Sequence, residues 1–137
     1  MAKLVDILLV DDDREDAVFL QQSFLEYLQV RHRLSIVPDG DTALAFLQRQ
    51  APHAEAPRPD LIILDIHIPK TNGWEVLTVI RATPSLTKIP VAMLTGILSP
   101  FDEAQRDTLR PALCLLKPTT LEESQSLVKA IEAYLIK

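Results

Sequence analysis

Five short apolar runs, each followed by a longer stretch patterned for a helix, constrain the fold of this chain more than any other feature. The runs are Asp6–Val10 (DILLV), Arg33–Val37 (RLSIV), Asp60–Leu64 (DLIIL), Pro90–Leu94 (PVAML) and Leu113–Leu116 (LCLL). Several are apolar without interruption, which is how strands covered on both faces read. Between them, Arg14–Leu28 places Ala17, Leu20, Phe24, Tyr27 and Leu28 on one helical face. Gly40–Gln50 carries Ala43, Leu44 and Leu47, and Gly73–Ala82 carries Val76, Leu77 and Ile80. Leu127, Ile131 and Leu135 repeat at four-residue steps near the end, the stripe of an amphipathic helix. Strict alternation of this kind predicts an α/β fold, a doubly wound five-stranded parallel sheet flanked by five helices.

The punctuation agrees. Ser99-Pro100-Phe101-Asp102 supplies a cap, a proline at the first helical position and an acid at the third. Thr120 and Glu123 do the same for the last helix, and Arg110-Pro111 ends the one before it. Ala51–Pro59 is proline-rich and patternless, so it is a loop. With 137 residues, the chain is the size of one domain. A net charge of −5 argues against a nucleic-acid partner, whose phosphates need a basic face. No apolar run is long enough for a membrane span or a signal peptide, and the single cysteine, Cys114, fits a reducing compartment. The expectation is a cytoplasmic protein that binds neither nucleic acid nor membrane.

In parallel α/β sheets, chemistry sits at the carboxyl ends of the strands. Asp11, Asp12 and Asp13 follow the first run, Asp65 the third, Thr95-Gly96 the fourth and Lys117-Pro118 the fifth. Pro38-Asp39-Gly40 after the second is a turn signature. Clustered carboxylates cannot all stay ionised unless a cation neutralises them. Mg²⁺ suits them, because it takes one or two carboxylates, keeps several waters and leaves room for a phosphoryl oxygen. One aspartate can then act as nucleophile toward a phosphoryl group, with Lys117 and Thr95 directed at its oxygens.

This ordered set resembles the receiver domain of two-component response regulators over nearly the whole chain. The family pattern is an acidic pair after the first strand, a lone phosphoacceptor aspartate after the third, Thr or Ser after the fourth and Lys-Pro after the fifth. The resemblance implies a flavodoxin-like fold with strand order 2-1-3-4-5, and a regulator rather than an enzyme. It implies that Asp65 receives the phosphoryl group from a histidine kinase and that Asp12 and Asp65 bind Mg²⁺ through side chains. Asp11 then acts mainly through a bound water, and His67 supplies its backbone carbonyl. The proline-rich loop, the stretch LTGILSPFDEAQ and the ending IEAYLIK are similar to the small regulators paired with bacterial phytochromes, which implies a phytochrome kinase as donor. The resemblance also implies a cis Lys117–Pro118 bond. It implies, too, a homodimer through the face formed by the fourth helix, fifth strand and fifth helix, where Phe101, Tyr134, Leu135 and Ile136 are apolar beyond one stripe's need. The chain ends just after its fifth helix, so a single receiver domain over 1–137 with no output domain is expected, signalling to a downstream protein by contact.

Asp13 is the surplus acid, best used as the cap of the first helix with Asp16 at its third position. Cys114, three before Lys117, stands where receivers often carry a switching Tyr or Phe, and reads as a small buried hydrophobe. Gly96 leaves the approach to the phosphoryl group open. Trp74 reads as packing at a helix start, Phe19 as packing or partner contact, and Lys70 and Asn72 as surface loop. The three histidines, His32, His53 and His67, lack metal-ligand spacing. A flavodoxin would need a hydroxyl- and glycine-rich phosphate loop where this chain has acids. A phosphatase of the haloacid dehalogenase type would need a second acid where His67 stands.

Overall fold

A computed structural model describes residues 3–136. The elements, in order, are β1 (Val5–Val10), α1 (Arg14–Tyr27), β2 (His32–Val37), α2 (Gly40–Leu47), β3 (Leu61–Asp65), α3 (Gly73–Ala82), β4 (Val91–Thr95), α4 (Pro100–Leu109), β5 (Leu113–Leu116) and α5 (Leu121–Leu135). The five strands form one parallel sheet in the order β2-β1-β3-β4-β5. Two shells of apolar side chains cover it. Ile7, Leu9, Ile63 and Leu94 point to one face, where Ala17, Leu20 and Phe24 of α1 and Leu127 and Ile131 of α5 meet them. Leu8, Val10, Ile62, Leu64 and Met93 point to the other, beneath Ala43 and Leu47 of α2 and Val76, Leu77 and Ile80 of α3. Every residue of β3 and β4 is buried, as their unbroken apolar runs require.

The expected spans are reproduced to within a residue or so, with two informative shifts. β3 and β4 each run one residue further than their apolar stretch, so Asp65 and Thr95 are the last residues of strands and inherit the rigidity of the sheet. The second helix stops at Leu47, because Arg49 turns into the left-handed region at φ 54°. β5 reads like a central strand but lies at the sheet edge. Leu113, Cys114 and Leu115 are only half-buried and Leu116 is exposed, so Leu116 and Cys114 are not the core residues their run suggests.

Two glycines are required by close approach. A Cβ on Gly40 would stand 1.8 Å from the Thr71 carbonyl oxygen, and one on Gly73 would stand 2.6 Å from that of Asp65. Gly73 thus lets α3 start directly against the backbone of the site. Asn72, which reads as plain loop, is the cap of α3 and forms a reciprocal capping box with Glu75. Asp39 caps α2 without the reciprocal bond, accepting from the Thr42 N–H at 2.7 Å. The Lys117–Pro118 bond is not cis, contrary to expectation; among the described residues the cis bond is Ala51–Pro52. Lys117 reaches the site all the same.

Candidate phosphoryl-acceptor site

The carboxyl ends of β1, β3, β4 and β5 bring Asp11, Asp12, Asp65, Thr95 and Lys117 to one edge of the sheet. One oxygen from each of Asp11, Asp12 and Asp65 lies within 4.8 Å of the other two. Asp11 and Asp65 are buried, whereas Asp12 faces solvent. Each buried acid has one oxygen fixed by the backbone just beyond its strand. Asp13 N–H donates to Asp11 Oδ1 at 2.9 Å, and His67 N–H donates to Asp65 Oδ1 at 3.0 Å. The second oxygens, Oδ2 of both, are left to face Lys117, whose ammonium stands 2.7 Å from Asp65 and 3.6 Å from Asp11.

The charges respond to this crowding. Burial pushes the Asp11 carboxyl from its ordinary 3.8 to about 6. The Asp13 N–H and Lys117 oppose that rise, while the Asp65 and Asp16 charges add to it. Burial alone would lower Lys117, yet its hydrogen bonds to Asp65 and Asp16 and the surrounding negative charge raise it above the usual lysine value. One cation is insufficient for the set: Asp11 Oδ2 is buried and has no hydrogen-bond partner. A buried, unsatisfied carboxylate oxygen beside two further carboxylates is a donor set that a hard divalent ion completes. The residues therefore fit a divalent cation.

Thr95 is buried at the end of β4, and its hydroxyl donates to the Ile97 carbonyl at 2.9 Å. That bond ties the hydroxyl to the loop leading into α4. Gly96 has open space where a Cβ would stand, in keeping with an unobstructed approach. Asp13 is the cap of α1, its Oδ1 accepting from Glu15 N–H at 3.0 Å and Asp16 N–H at 3.1 Å. The acidic opening of the chain thus divides its work between the cation site and the helix end.

Two connections escape the sequence reading. Asp16 Oδ2 accepts from the Lys117 ammonium at 3.0 Å, across 101 positions of chain. Asp102 Oδ1 accepts from the buried Trp74 indole Nε1–H at 2.9 Å, while its Oδ2 takes the Ser99 N–H and hydroxyl. Burial would raise the Asp102 carboxyl, but these donors and His67 hold it below its ordinary value. The His67 ring itself projects into solvent, 3.8 Å from Asp102. Asp16 and Asp102 read from the sequence as helix-start acids, Trp74 as packing and Lys117 as the phosphoryl-directed lysine, but nothing local signals that they meet.

Comparison with known proteins decides the family. The model of the response regulator receiver domain matches residues 7–132. The chain belongs to that family. It is 38% identical over 128 residues to the response regulator Rcp1 of Synechocystis sp., covering 93% of this chain and 86% of that protein. The crystal structure of the Mn²⁺-bound form of Rcp1 superposes with a TM-score of 0.86 at 36% identity, covering 97% of this chain and 95% of that one. The phosphorylated cyanobacterial phytochrome response regulator RcpA gives 0.88 at 33% identity, covering 98% and 96%. The family, the flavodoxin-like receiver fold and the likeness to phytochrome response regulators are as the motifs imply. The protein is a response regulator of phosphorelay signal transduction. Among the described residues no helix is long and apolar enough to cross a membrane.

Proposed function

We propose that the chain accepts a phosphoryl group on Asp65 from a sensor histidine kinase, with Mg²⁺ bound, and signals through contacts with other proteins. The observation that carries this reading is the double environment of Asp65. Its carboxylate shares a cation-binding cluster with Asp11 and Asp12 and stands 2.7 Å from Lys117. An Asp65 oxygen attacks phosphorus as the P–N bond of a phosphohistidine breaks. The electron pair leaves with the imidazole, which takes up a proton, and a mixed anhydride remains on Asp65. Lys117 balances charge on the transferred oxygens, and the Thr95 hydroxyl lies one strand away to donate to them. Asp12 and Asp65 side chains, the His67 carbonyl and Asp11 through water would hold Mg²⁺, which supplies charge neutralisation to an in-line transfer.

The likeness to phytochrome response regulators supports a phytochrome kinase as donor. A regulator that assists only its own phosphorylation and dephosphorylation uses these groups alone, and a cytoplasmic setting suits such a kinase partner. Dimerisation through α4, β5 and α5 draws support from Phe101, Leu116 and Leu121, each more than half exposed there. Tyr134 and Leu135 contribute less than their sequence suggests. They fold over the opposite end of the sheet beside Val5, Arg31 and Asp60, where a cleft of about 560 Å³ lies.

Incubation with Mg²⁺ and acetyl phosphate tests the chemistry. Intact mass is expected to rise by one phosphoryl group that base removes, and Asp65→Asn is expected to abolish it. Label persisting in that variant would overturn the assignment. Sedimentation with beryllofluoride and Mg²⁺ tests the dimer, and a species that stays monomeric excludes it. A dimer indifferent to Phe101→Asp with Leu116→Asp excludes this face.

A further inference from the structure

Three carboxylates share the Lys117 ammonium: Asp65 at 2.7 Å, Asp16 at 3.0 Å and Asp11 at 3.6 Å. Asp65 and Asp11 belong to the acceptor and cation set. Asp16 belongs to neither. It sits in the first turn of α1, where its backbone N–H is already satisfied by Asp13, and an acid there needs no tertiary partner to favour the helix. Its side chain, still 45% exposed, nonetheless reaches a lysine that is only 21% exposed. We propose that Asp16 is a positioning residue that competes with a phosphoryl group on Asp65 for the Lys117 ammonium, and so limits how fully the phosphorylated state is occupied. The inference rests on Asp65 being the phosphoacceptor.

The physics runs in one direction. A phosphoryl group on Asp65 carries more negative charge than the carboxylate it modifies and places it further from the strand. Lys117 has to follow that charge outward, and its bond to Asp16 holds it toward α1. The Asp16 carboxylate, 3.0 Å from the same ammonium, also repels the phosphoryl oxygens through its own charge. Removing the charge while keeping the shape relieves both effects. A charge one ammonium away from the phosphoryl oxygens, in a half-exposed setting, corresponds to about a three- to tenfold change in affinity. A side chain that merely tied α1 to the loop after β5 would give no gain of this sign.

The test is titration of the full chain with beryllofluoride in excess Mg²⁺, followed by calorimetry, for the native protein, Asp16→Asn and Asp16→Glu. Asp16→Asn is expected to bind about three- to tenfold more tightly and to reach a higher phosphorylated fraction with acetyl phosphate. Asp16→Glu, which restores the charge, is expected to return within about twofold of the native value. Unchanged or weaker binding by a folded Asp16→Asn overturns the proposal, as does an equal gain in Asp16→Glu. Should Asp16→Asn not fold, Asp16→Ser carries the same comparison. Failure of the underlying reading looks different: binding by the native protein would survive Asp65→Asn, or would not occur at all, and either result overturns both.

Discussion

Asp102 is the one buried residue of α4, so a polar contact rather than an apolar stripe holds that helix at its amino end. Its side chain is 2% exposed and accepts from Trp74 Nε1 at 2.9 Å, Ser99 N at 3.0 Å and Ser99 Oγ at 2.9 Å. Asp102→Ala leaves the indole N–H buried without an acceptor, a cost of about 1–3 kcal/mol, and removes half of the capping box, about 1 kcal/mol more. Relief of a buried charge offsets part of this, so a net loss of about 2–3 kcal/mol is expected. Trp74→Phe removes the donor instead and leaves Asp102 its two Ser99 partners, for about 1–2 kcal/mol. The double variant has no orphaned indole, and it should be more stable than the sum of the single losses by about 1–2 kcal/mol. Urea unfolding followed by far-UV circular dichroism measures all four proteins; fluorescence does not serve, because Trp74 is the sole tryptophan. Hydrogen exchange on Asp102→Ala should show α4 amides losing protection before those of α3. Additivity to within about 0.5 kcal/mol would refute the direct coupling, and a loss below about 1 kcal/mol for Asp102→Ala would refute its role as the anchor of α4.

Metal-free protein should gain stability as pH falls from about 7 toward 4. The Asp11 carboxyl sits at about 6 when folded and 3.8 when unfolded, so the native state binds the extra proton across that window. Asp11→Asn should flatten this dependence and add about 1–3 kcal/mol at pH 7 in chelator, read from urea midpoints at several pH values. Asp13→Ala should cost about 1 kcal/mol through the lost cap, while calorimetry finds Mg²⁺ affinity nearly unchanged. Gly73→Ala places a Cβ 2.6 Å from the Asp65 carbonyl oxygen and should cost about 1–3 kcal/mol, measured by thermal unfolding, with slower phosphorylation because the strand end must shift.

What the sequence reveals here is what is local or periodic. The runs LIIL and VAML read as covered strands, and the carboxyl-end rule then placed four of the site's elements without any knowledge of contacts. LCLL shows the limit of that reasoning. A short apolar run does not say whether its strand is central or at an edge, and β5 is half-exposed because nothing pairs with its outer side among the described residues. Asp16 and Asp102 show a second limit. Each occupies the third position of a helix with a suitable cap, and each serves the helix as expected. Their second roles depend on Lys117 and Trp74, which are distant in sequence and are brought near only by the order of the strands and the pitch of the helices.

The same electrostatics that destabilise the metal-free site are the source of its affinity. Asp11 and Asp65 extend two buried strands, so the sheet fixes their carboxylates near one another whatever the solvent does. Lys117 relieves Asp65 at 2.7 Å more than Asp11 at 3.6 Å, and the Asp11 oxygen remains unpartnered. A divalent ion removes that strain only in the folded state, because the unfolded chain does not hold the acids together. By linkage, whatever repulsion costs the empty fold is recovered on binding. A substitution at Asp11 should therefore raise stability in chelator and lower Mg²⁺ affinity together, whereas Asp13, whose carboxylate points at its own helix, should do neither in parallel. If Asp11→Asn were instead destabilising without metal, the carboxylate would be serving the fold, and the cluster would owe its geometry to hydrogen bonds rather than to the ion it holds.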